Sequence, residues 1–296
     1  MAIKVFVTGA SGYLGSNLLK KLTQKGYFVK ALVRNVNKVE SLKSKNVKVV
    51  IGDITDINSY EKELKGIEVI YHLAAIIGNN NKELNFLVHV EAVKKLIEAA
   101  KKNNIKRIIY VSTISASYQK RSHYAESKLQ AEKLFYNSGI PTTIIRPNLI
   151  IGKKSPQLEK ISKMIKLPLI PVVGSGKKLI QPINVEQLSE VLIKVLENDN
   201  FINHTISISG LERITFNQFL DIISKNTIGK TKFKLHLPIF ACSILAIILE
   251  KGLKDKAPLN KGQVTLLNQN SISSFNDAKK LFNLKEEKII EIIGEK

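Results

Sequence analysis

Residues 8–15 read Thr8-Gly9-Ala10-Ser11-Gly12-Tyr13-Leu14-Gly15 and place three glycines between an apolar segment and a helical pattern. The apolar segment at 3–8 predicts a short strand, whereas leucines spaced by three and four predict an amphipathic helix over 13–25. A helix N-terminus behind glycines presents backbone N–H groups and the positive dipole end to a phosphate. In such a turn Gly9 permits the tight bend, Gly12 lets the phosphate approach, and Gly15 lets helix and strand pack. The order predicts a dinucleotide-binding turn, with an ordinary strand-to-helix turn as the alternative.

The first half of the chain alternates strand and helix patterns. Further apolar segments predict strands at 28–33, 47–51, 69–73, 107–112 and 142–146. Because parallel strands need crossover helices, the alternation predicts an α/β fold, a doubly wound parallel sheet (Rossmann fold) over 1–150. Past residue 150, prolines interrupt the pattern, and the pairs Asn184/Gln187 and Thr215/Gln218 have the spacing of helix-capping residues. We expect a smaller, partly helical substrate-side domain over 151–296, with strands that could return to the sheet.

Composition limits the classes of protein. The chain has 296 residues, 44% of them hydrophobic, and a single cysteine, which excludes an intrachain disulfide and a cysteine-rich metal site. A strand at the extreme N-terminus leaves no room for a secretory signal, and no apolar run reaches the roughly 18 residues of a membrane span, so we expect a cytoplasmic protein. The net charge of +21 has two explanations, attraction to polyanions or a source rich in lysine. The lysines are dispersed without interleaved aromatics, which favours the second and predicts no nucleic-acid partner.

Two residues at predicted strand ends bear on the choice of cofactor. Arg34 follows the second strand, where an acidic residue would suit NAD and an arginine suits the 2′-phosphate of NADP. The pattern therefore predicts NADP(H), with NAD(H) as the alternative if Arg34 is an exposed arginine without a ligand. Asp53 follows the third strand, where it would either meet the adenine edge or serve as an ordinary turn aspartate.

A second motif reads Tyr124-Ala125-Glu126-Ser127-Lys128. Residues four apart share a helix face, so Tyr124 and Lys128 are predicted neighbours. An ammonium about 4 Å from a phenol would be worth roughly 4 kcal/mol at an effective dielectric near 20, or about three pKa units. We therefore expect Lys128 to lower the pKa of Tyr124 and make it an acid/base group; the alternative is a surface pair.

These motifs together resemble the extended branch of the short-chain dehydrogenase/reductase family, the epimerase/dehydratase type. The resemblance rests on residues 8–15, 71–75 (YHLAA), 111–113 (VST) and 124–128, extends over 145–152 and 174–185, and covers about two thirds of the chain. It implies that Tyr124 and Lys128 form the acid/base pair and that Thr113 orients a substrate carbonyl, with Ser112 as second choice. The expected cofactor-binding residues are Gly9, Ser11, Gly12, Tyr13, Leu14, Gly15, Arg34, Asp53, Ile54, Ala74, Ala75, Tyr124 and Lys128.

Two positions depart from that family. His89 stands where an asparagine is usual, and Ile180 stands where nucleotide-sugar epimerases carry an arginine for the substrate diphosphate. Without that charge-assisted contact, we expect UDP- and dTDP-sugars to bind weakly. Residues 181–185 and 257–267 resemble the subgroup related to the NADPH-binding accessory subunit of respiratory complex I. The expected function is an oxidoreductase or epimerase/dehydratase acting on a small carbonyl or hydroxyl substrate; the alternative is a non-catalytic NADP(H)-binding structural or assembly protein.

The remaining candidates have simple structural interpretations. We expect His72 to be a hydrogen-bonded core residue, His123 to be exposed, Cys242 to be a packed apolar residue, and no metal site. The apolar segment Pro238–Leu249 lies between Lys234 and the pair Lys251 and Lys254. It predicts either a core helix of the smaller domain or a helix in peripheral contact with an anionic membrane.

Overall fold

Thirteen strands and eleven α-helices lie within residues 3–35, 37, 44–253, 257, 259–273 and 277–294, which the computed structural model describes. The strands are β1 Lys4–Thr8, β2 Phe28–Val33, β3 Val47–Ile51, β4 Val69–His72, β5 Arg107–Val111, β6 Thr142–Pro147, β7 Ile150–Ile151, β8 Ile170–Val173, β9 Leu179–Ile180, β10 Ile183–Asn184, β11 Thr205–Ile208, β12 Ile214–Thr215 and β13 Lys234–Leu237. The helices are α1 Tyr13–Gln24, α2 Lys82–Phe86, α3 Ala92–Lys102, α4 His123–Tyr136, α5 Pro156–Ile165, α6 Val185–Leu196, α7 Phe216–Ile228, α8 Ile239–Leu253, α9 Lys261–Leu267, α10 Asp277–Phe282 and α11 Ile289–Ile293.

Seven strands form one parallel sheet in the order β3-β2-β1-β4-β5-β6-β11. Alternate side chains of each strand point to opposite faces, so each face is covered by its own helices. Helices α1 and α6 pack on one face around Val7 and Tyr71, and α3 and α4 pack on the other around Phe6 and Tyr110. The predicted doubly wound fold is confirmed, and all carboxyl ends of the strands meet at one edge, where ligands of such sheets bind.

The chain beyond residue 150 builds a smaller lobe and also contributes to the sheet. Helix α6 packs against α1, and β11 pairs with β6, so a boundary at 150 would run through the sheet. The lobe itself holds the two-stranded pairs β7–β10, β9–β12 and β8–β13 around a separate core with α5, α7 and α11.

The two predicted helix caps form to different extents. Thr215 and Gln218 make the reciprocal capping box at the start of α7. Asn184 caps α6 by accepting from the Glu186 amide, but Gln187 donates to the Lys285 carbonyl instead. The first cap is therefore confirmed in full, and the second only for Asn184.

Candidate active site

The glycine turn packs directly against the loop that follows β4. Gly9 has φ +70°, and a Cβ there would lie 2.8 Å from the Ala74 amide nitrogen. At Gly15 a Cβ would lie 2.2 Å from the Gly9 carbonyl oxygen, so α1 could not approach the turn with any side chain at this position. The turn and Ala74 therefore lie together at the edge of the sheet where we expect a cofactor to bind.

The N-terminus of helix α1 has the features of an anion-binding site. It begins at Tyr13 directly behind Gly12, which has no side chain to cap the helix, and its first turn carries no acid. Its first-turn amides and positive dipole end can therefore serve a pyrophosphate. Ser11, Tyr13 and Leu14 are half-buried around this turn, and the Tyr13 hydroxyl donates to the Lys153 carbonyl at 3.2 Å. The residues present fit a dinucleotide.

Arg34 and Asp53 lie side by side at the ends of β2 and β3. The Arg34 side chain is 72% exposed, with Nη1 3.9 Å from Asp53 Oδ2. Asp53 Oδ1 accepts from the Thr55 amide at 2.8 Å and from the Thr55 hydroxyl at 2.7 Å. Burial raises the Asp53 pKa, but these hydrogen bonds and the Arg34 charge outweigh it, so the pKa lies below its ordinary value. Asp53 thus caps a turn, Ile54 is buried in the core, and the Arg34 guanidinium remains open to an anion.

Lys128 and Thr113 lie at the carboxyl end of β5, and Tyr124 lies one helical turn before Lys128. Tyr124 is the second residue of α4, and Lys128 follows one turn later with only 1% exposure. The Lys128 ammonium donates to the Val111 carbonyl at 2.7 Å and lies 4.3 Å from the centre of the Tyr110 ring. Two residues beyond Val111, half-buried Thr113 has Oγ1 3.0 Å from Ser115 Oγ. One carbonyl of β5 therefore holds the lysine close to the strand end that carries Thr113.

The electrostatics differ from the sequence-based expectation that Lys128 lowers the pKa of Tyr124. Burial raises the pKa of Tyr124 to about 12, and burial lowers the pKa of Lys128 to about 7 against the opposing charge of Glu132. That expectation was wrong because it assumed an ammonium about 4 Å from the phenol at an effective dielectric near 20. Lys128 is instead fully buried, with its ammonium directed at a carbonyl and a ring, and the half-buried Tyr124 phenol gains no lowering of its pKa from that charge. Each group is therefore driven towards its neutral form.

Ser112, the second choice for orienting a substrate, has another role. It is 4% exposed, and its hydroxyl donates to Glu132, which Arg146 also holds through two nitrogens. This buried network ties α4 to β5 and β6. Thr113 rather than Ser112 therefore remains open to a ligand at this edge.

His89 is the site residue whose role sequence reasoning missed. It lies on a π-helical segment, Leu87–Glu91, between α2 and α3. Its Nε2 accepts from the Ile76 amide at 3.1 Å, so the ring proton is assigned to Nδ1, which lies 2.8 Å from Ser127 Oγ. Ser127 in turn donates to the Tyr124 carbonyl at 2.9 Å, and the rings of His89 and Tyr124 meet edge to face at 5.5 Å. The imidazole thus connects the loop after β4 to the helix that carries Tyr124.

The state of His89 follows from its surroundings. Burial, with Lys128 and His72 nearby, lowers its pKa to about 2, so the ring is neutral. The only signal of this role in the sequence was the departure from the usual asparagine at position 89.

The other singled-out residues fall outside the site. Ile180 is 8% exposed in the lobe core on β9, so its side chain offers nothing to a diphosphate. His72 is 1% exposed with Nδ1 2.9 Å from Thr8 Oγ1, His123 is exposed, and Cys242 is packed in a small cluster, all as predicted. Among the described residues, no group of three or more His, Cys, Asp and Glu side chains could hold a metal ion.

Comparisons with known proteins identify the family of the chain. Residues 9–199 match the model of an NAD(P)H-binding family. NADH dehydrogenase (ubiquinone) 1 alpha subcomplex subunit 9, mitochondrial, of Dictyostelium discoideum is 28% identical over 244 residues, covering 79% of this chain and 66% of that protein. The decarboxylating sterol-4-alpha-carboxylate 3-dehydrogenase of Mus musculus is 26% identical over 293 residues, covering 89% and 79%.

Solved structures give the same result. The UDP-glucuronic acid 4-epimerase of Bacillus cereus, in complex with NAD, superposes with a TM-score of 0.71 at 25% identity, covering 80% of this chain and 87% of that one. The chain spans 66%, 60% and 65% of the length of three curated relatives that it matches, about two thirds or less. The resemblance stated from the motifs is confirmed: the chain belongs to the NAD(P)H-binding family, and its relatives are consistent with the extended, epimerase/dehydratase type of the short-chain dehydrogenases/reductases.

Proposed function

We propose that this protein is an NADP(H)-dependent enzyme that oxidises or reduces a small carbonyl or hydroxyl substrate. The observation that carries the proposal is the placement of Lys128, a fully buried lysine bonded to the last carbonyl of β5, one helical turn after Tyr124. Burying an ammonium is costly, and its position at the strand end that leads into Thr113 gives that cost a chemical purpose. The bound nicotinamide would supply or accept the hydride.

The chain's own groups then handle the proton. With its pKa at about 12, Tyr124 is protonated at neutral pH and suited to donate to the oxygen of a carbonyl as it becomes an alcohol. Thr113 Oγ1 would orient that oxygen. Lys128, with its pKa at about 7, can exchange a proton near neutral pH and can also bind the ribose of the cofactor. His89 and Ser127 hold the backbone of Tyr124 in place.

Variants of Tyr124 test this proposal in a screen of carbonyl compounds that follows NADPH absorbance. Tyr124→Phe removes the proton donor, and we expect it to lower turnover by about a hundredfold or more while cofactor affinity is kept. Lys128→Ala should lower both. Tyr136→Phe is the matched control, because Tyr136 ends the same helix with 73% of its side chain exposed, and it should turn over like the unchanged protein.

A second candidate is a cofactor-binding structural or assembly protein. It is supported by the similarity to a mitochondrial NADH dehydrogenase subunit and by a Tyr124 pKa that is raised rather than lowered. In that case no carbonyl compound in the screen would oxidise NADPH, and Tyr124→Phe would leave stability and partner assembly unchanged. Turnover that survives in Tyr124→Phe would contradict the proposed proton donor.

A further inference from the structure

Helix α8 is attached to the rest of the protein along a narrow seam. Only Cys242 and Ala246, one turn apart, are buried, and they pack against Val264 of α9. Large apolar side chains cover the rest of the helix surface and are between 37% and 70% exposed: Ile239, Phe240, Ile244, Leu245, Ile247 and Ile248. A helix that is apolar on all sides is expected inside a core or a bilayer, and this one lies at the surface.

The exposed apolar surface continues onto the strand pair β8–β13. Phe233 is 69% exposed, and Leu235 on β13 is 41% exposed. The Ile170 amide of β8 donates to the Phe233 carbonyl, so Leu167 and Leu169, 48% and 45% exposed, lie next to them. The Ile239 side chain packs against Gly174, which directly follows β8. Through this contact the apolar surface of α8 continues onto the strands. We call these ten side chains the apolar face: Leu167, Leu169, Phe233, Leu235, Ile239, Phe240, Ile244, Leu245, Ile247 and Ile248.

The segments that carry the apolar face are rich in lysine. Residues 229–253 contain four lysines and one acid, Glu250, and residues 160–170 contain three lysines. Two of these lysines pair with acids outside the segments, Lys234 with Asp221 and Lys163 with Glu159, so the excess positive charge comes from the others: Lys160, Lys166, Lys230, Lys232 and Lys251. Glu250 is engaged by the body of the protein, because its carboxylate accepts from Asn80 at 2.8 Å and from the Lys261 amide at 3.3 Å. Lys254, predicted as a flanking lysine, lies outside the described residues.

We propose that the apolar face docks this protein on an anionic membrane surface. Lipid tails would cover the apolar side chains, and anionic headgroups would meet the surrounding lysines. A second copy of the chain fits less well, because pairing two such faces would bring two basic rims together in a chain of net charge +21.

The length of α8 decides between lying on the membrane and crossing it. Its 15 residues span about 22 Å, which is short of the roughly 30 Å of a bilayer's hydrocarbon core. No helix within the described ranges is both long enough and apolar enough to cross a membrane. The contact is therefore peripheral.

Co-sedimentation of the full chain with lipid vesicles tests the proposal. Vesicles of phosphatidylcholine mixed with phosphatidylglycerol should pellet the protein, and vesicles of phosphatidylcholine alone should bind at least about fivefold more weakly. The triple variant Phe240→Ser, Ile244→Ser, Ile248→Ser should bind the mixed vesicles at least about tenfold more weakly. Its NADPH affinity should stay unchanged, which shows that the sheet domain is folded.

The matched control is Tyr136→Ser with Leu281→Ser, two exposed apolar residues on α4 and α10, which should pellet like the unchanged protein. Failure of the unchanged protein to pellet with mixed vesicles overturns the proposal, as does equal pelleting of the triple variant. A dimer in sedimentation equilibrium that the triple variant converts to monomer, without vesicle binding by either, would assign the face to a second copy instead.

Discussion

At the scale of single residues, Arg34 should determine which dinucleotide binds more tightly. Its guanidinium is 72% exposed and has only a distant contact, 3.9 Å, with Asp53. Several N–H donors therefore remain for a 2′-phosphate, and charge-assisted bonds to phosphate are strong. We expect NADPH to bind at least about tenfold more tightly than NADH, or about 1.4 kcal/mol, as measured by fluorescence titration.

The variant Arg34→Ala should abolish this preference by weakening NADPH alone. Lys102→Ala is the control, since Lys102 is 73% exposed and also pairs with an acid, Glu61. A ratio of affinities that is the same in Arg34→Ala as in the unchanged protein would contradict the role of the arginine.

At this scale, the sequence predicts where the site residues lie better than it predicts their protonation and their contacts. The position of Lys128 near Thr113 at one strand end, with Tyr124 one helical turn earlier, follows from motif order, because the carboxyl ends of parallel strands share an edge. The protonation of the pair did not follow, since it depends on burial that brings Tyr110 and Val111 around the lysine. The link from Ile76 through His89 to Ser127 joins three segments distant in sequence, so no local pattern could predict it.

At the scale of elements, the approach of α1 to the glycine turn should be the most sensitive contact. Gly15→Ala places a methyl carbon 2.2 Å from the Gly9 carbonyl oxygen, so helix or turn must move. We expect a loss of about 2–3 kcal/mol in the free energy of unfolding and at least about tenfold weaker NADPH binding. Denaturant titration and fluorescence measure the two effects.

The same substitution in another helix provides the comparison. Gly252→Ala in α8 meets no atom within 4 Å, and we expect it to be neutral or to stabilise by about 0.5–1 kcal/mol. If Gly15→Ala behaves like Gly252→Ala, the close packing of α1 on the turn is not what holds the cofactor site.

Some strands and helices can be predicted from their residues, and others cannot. The five further predicted strands match β2 to β6 to within one residue at each end, because each is a short apolar segment followed by a turn or loop. The pairs β7–β10 and β9–β12 have strands of two residues, too short to carry a period. The π-helical segment at Leu87–Glu91 was also unpredicted, because no periodic pattern of apolar residues marks its wider turn.

At the scale of the whole molecule, two buried imidazoles should make folding sensitive to acid. Burial, with Lys128 nearby, lowers the pKa of His72 to about 3, and His89 titrates at about 2, against about 6.5 in the unfolded chain. Between the folded-state and unfolded-state pKa values, the unfolded chain binds more protons than the folded chain. The two histidines therefore cost no stability above about pH 6.5, and the free energy of unfolding falls as the pH falls below that value. Each imidazole should cost about 2 kcal/mol at pH 5.

Denaturant titrations between pH 7 and 4 measure this dependence. The slope of the unfolding free energy against pH reports how many more protons the unfolded chain binds than the folded chain. In His89→Asn, which introduces the residue usual in the family, that number should decrease by about one. Tested alongside, His123→Asn is the matched substitution at an exposed histidine. Parallel slopes for the unchanged protein and His89→Asn would show that His89 is not held neutral in the folded state.

The return of the chain to the sheet through α6 and β11 also sets the order of folding during synthesis. Strand β11 pairs with β6 at one edge of the sheet, and helix α6 packs on α1. Both elements are synthesised only after β7 to β10. Phe282, near the end of the chain, still adds to the same core. A nascent chain that ends at residue 150 would therefore leave β6 as an unpaired edge and part of one sheet face uncovered, which favours aggregation. The large sequence separation of these contacts implies slow folding that finishes only once Phe282 has left the ribosome.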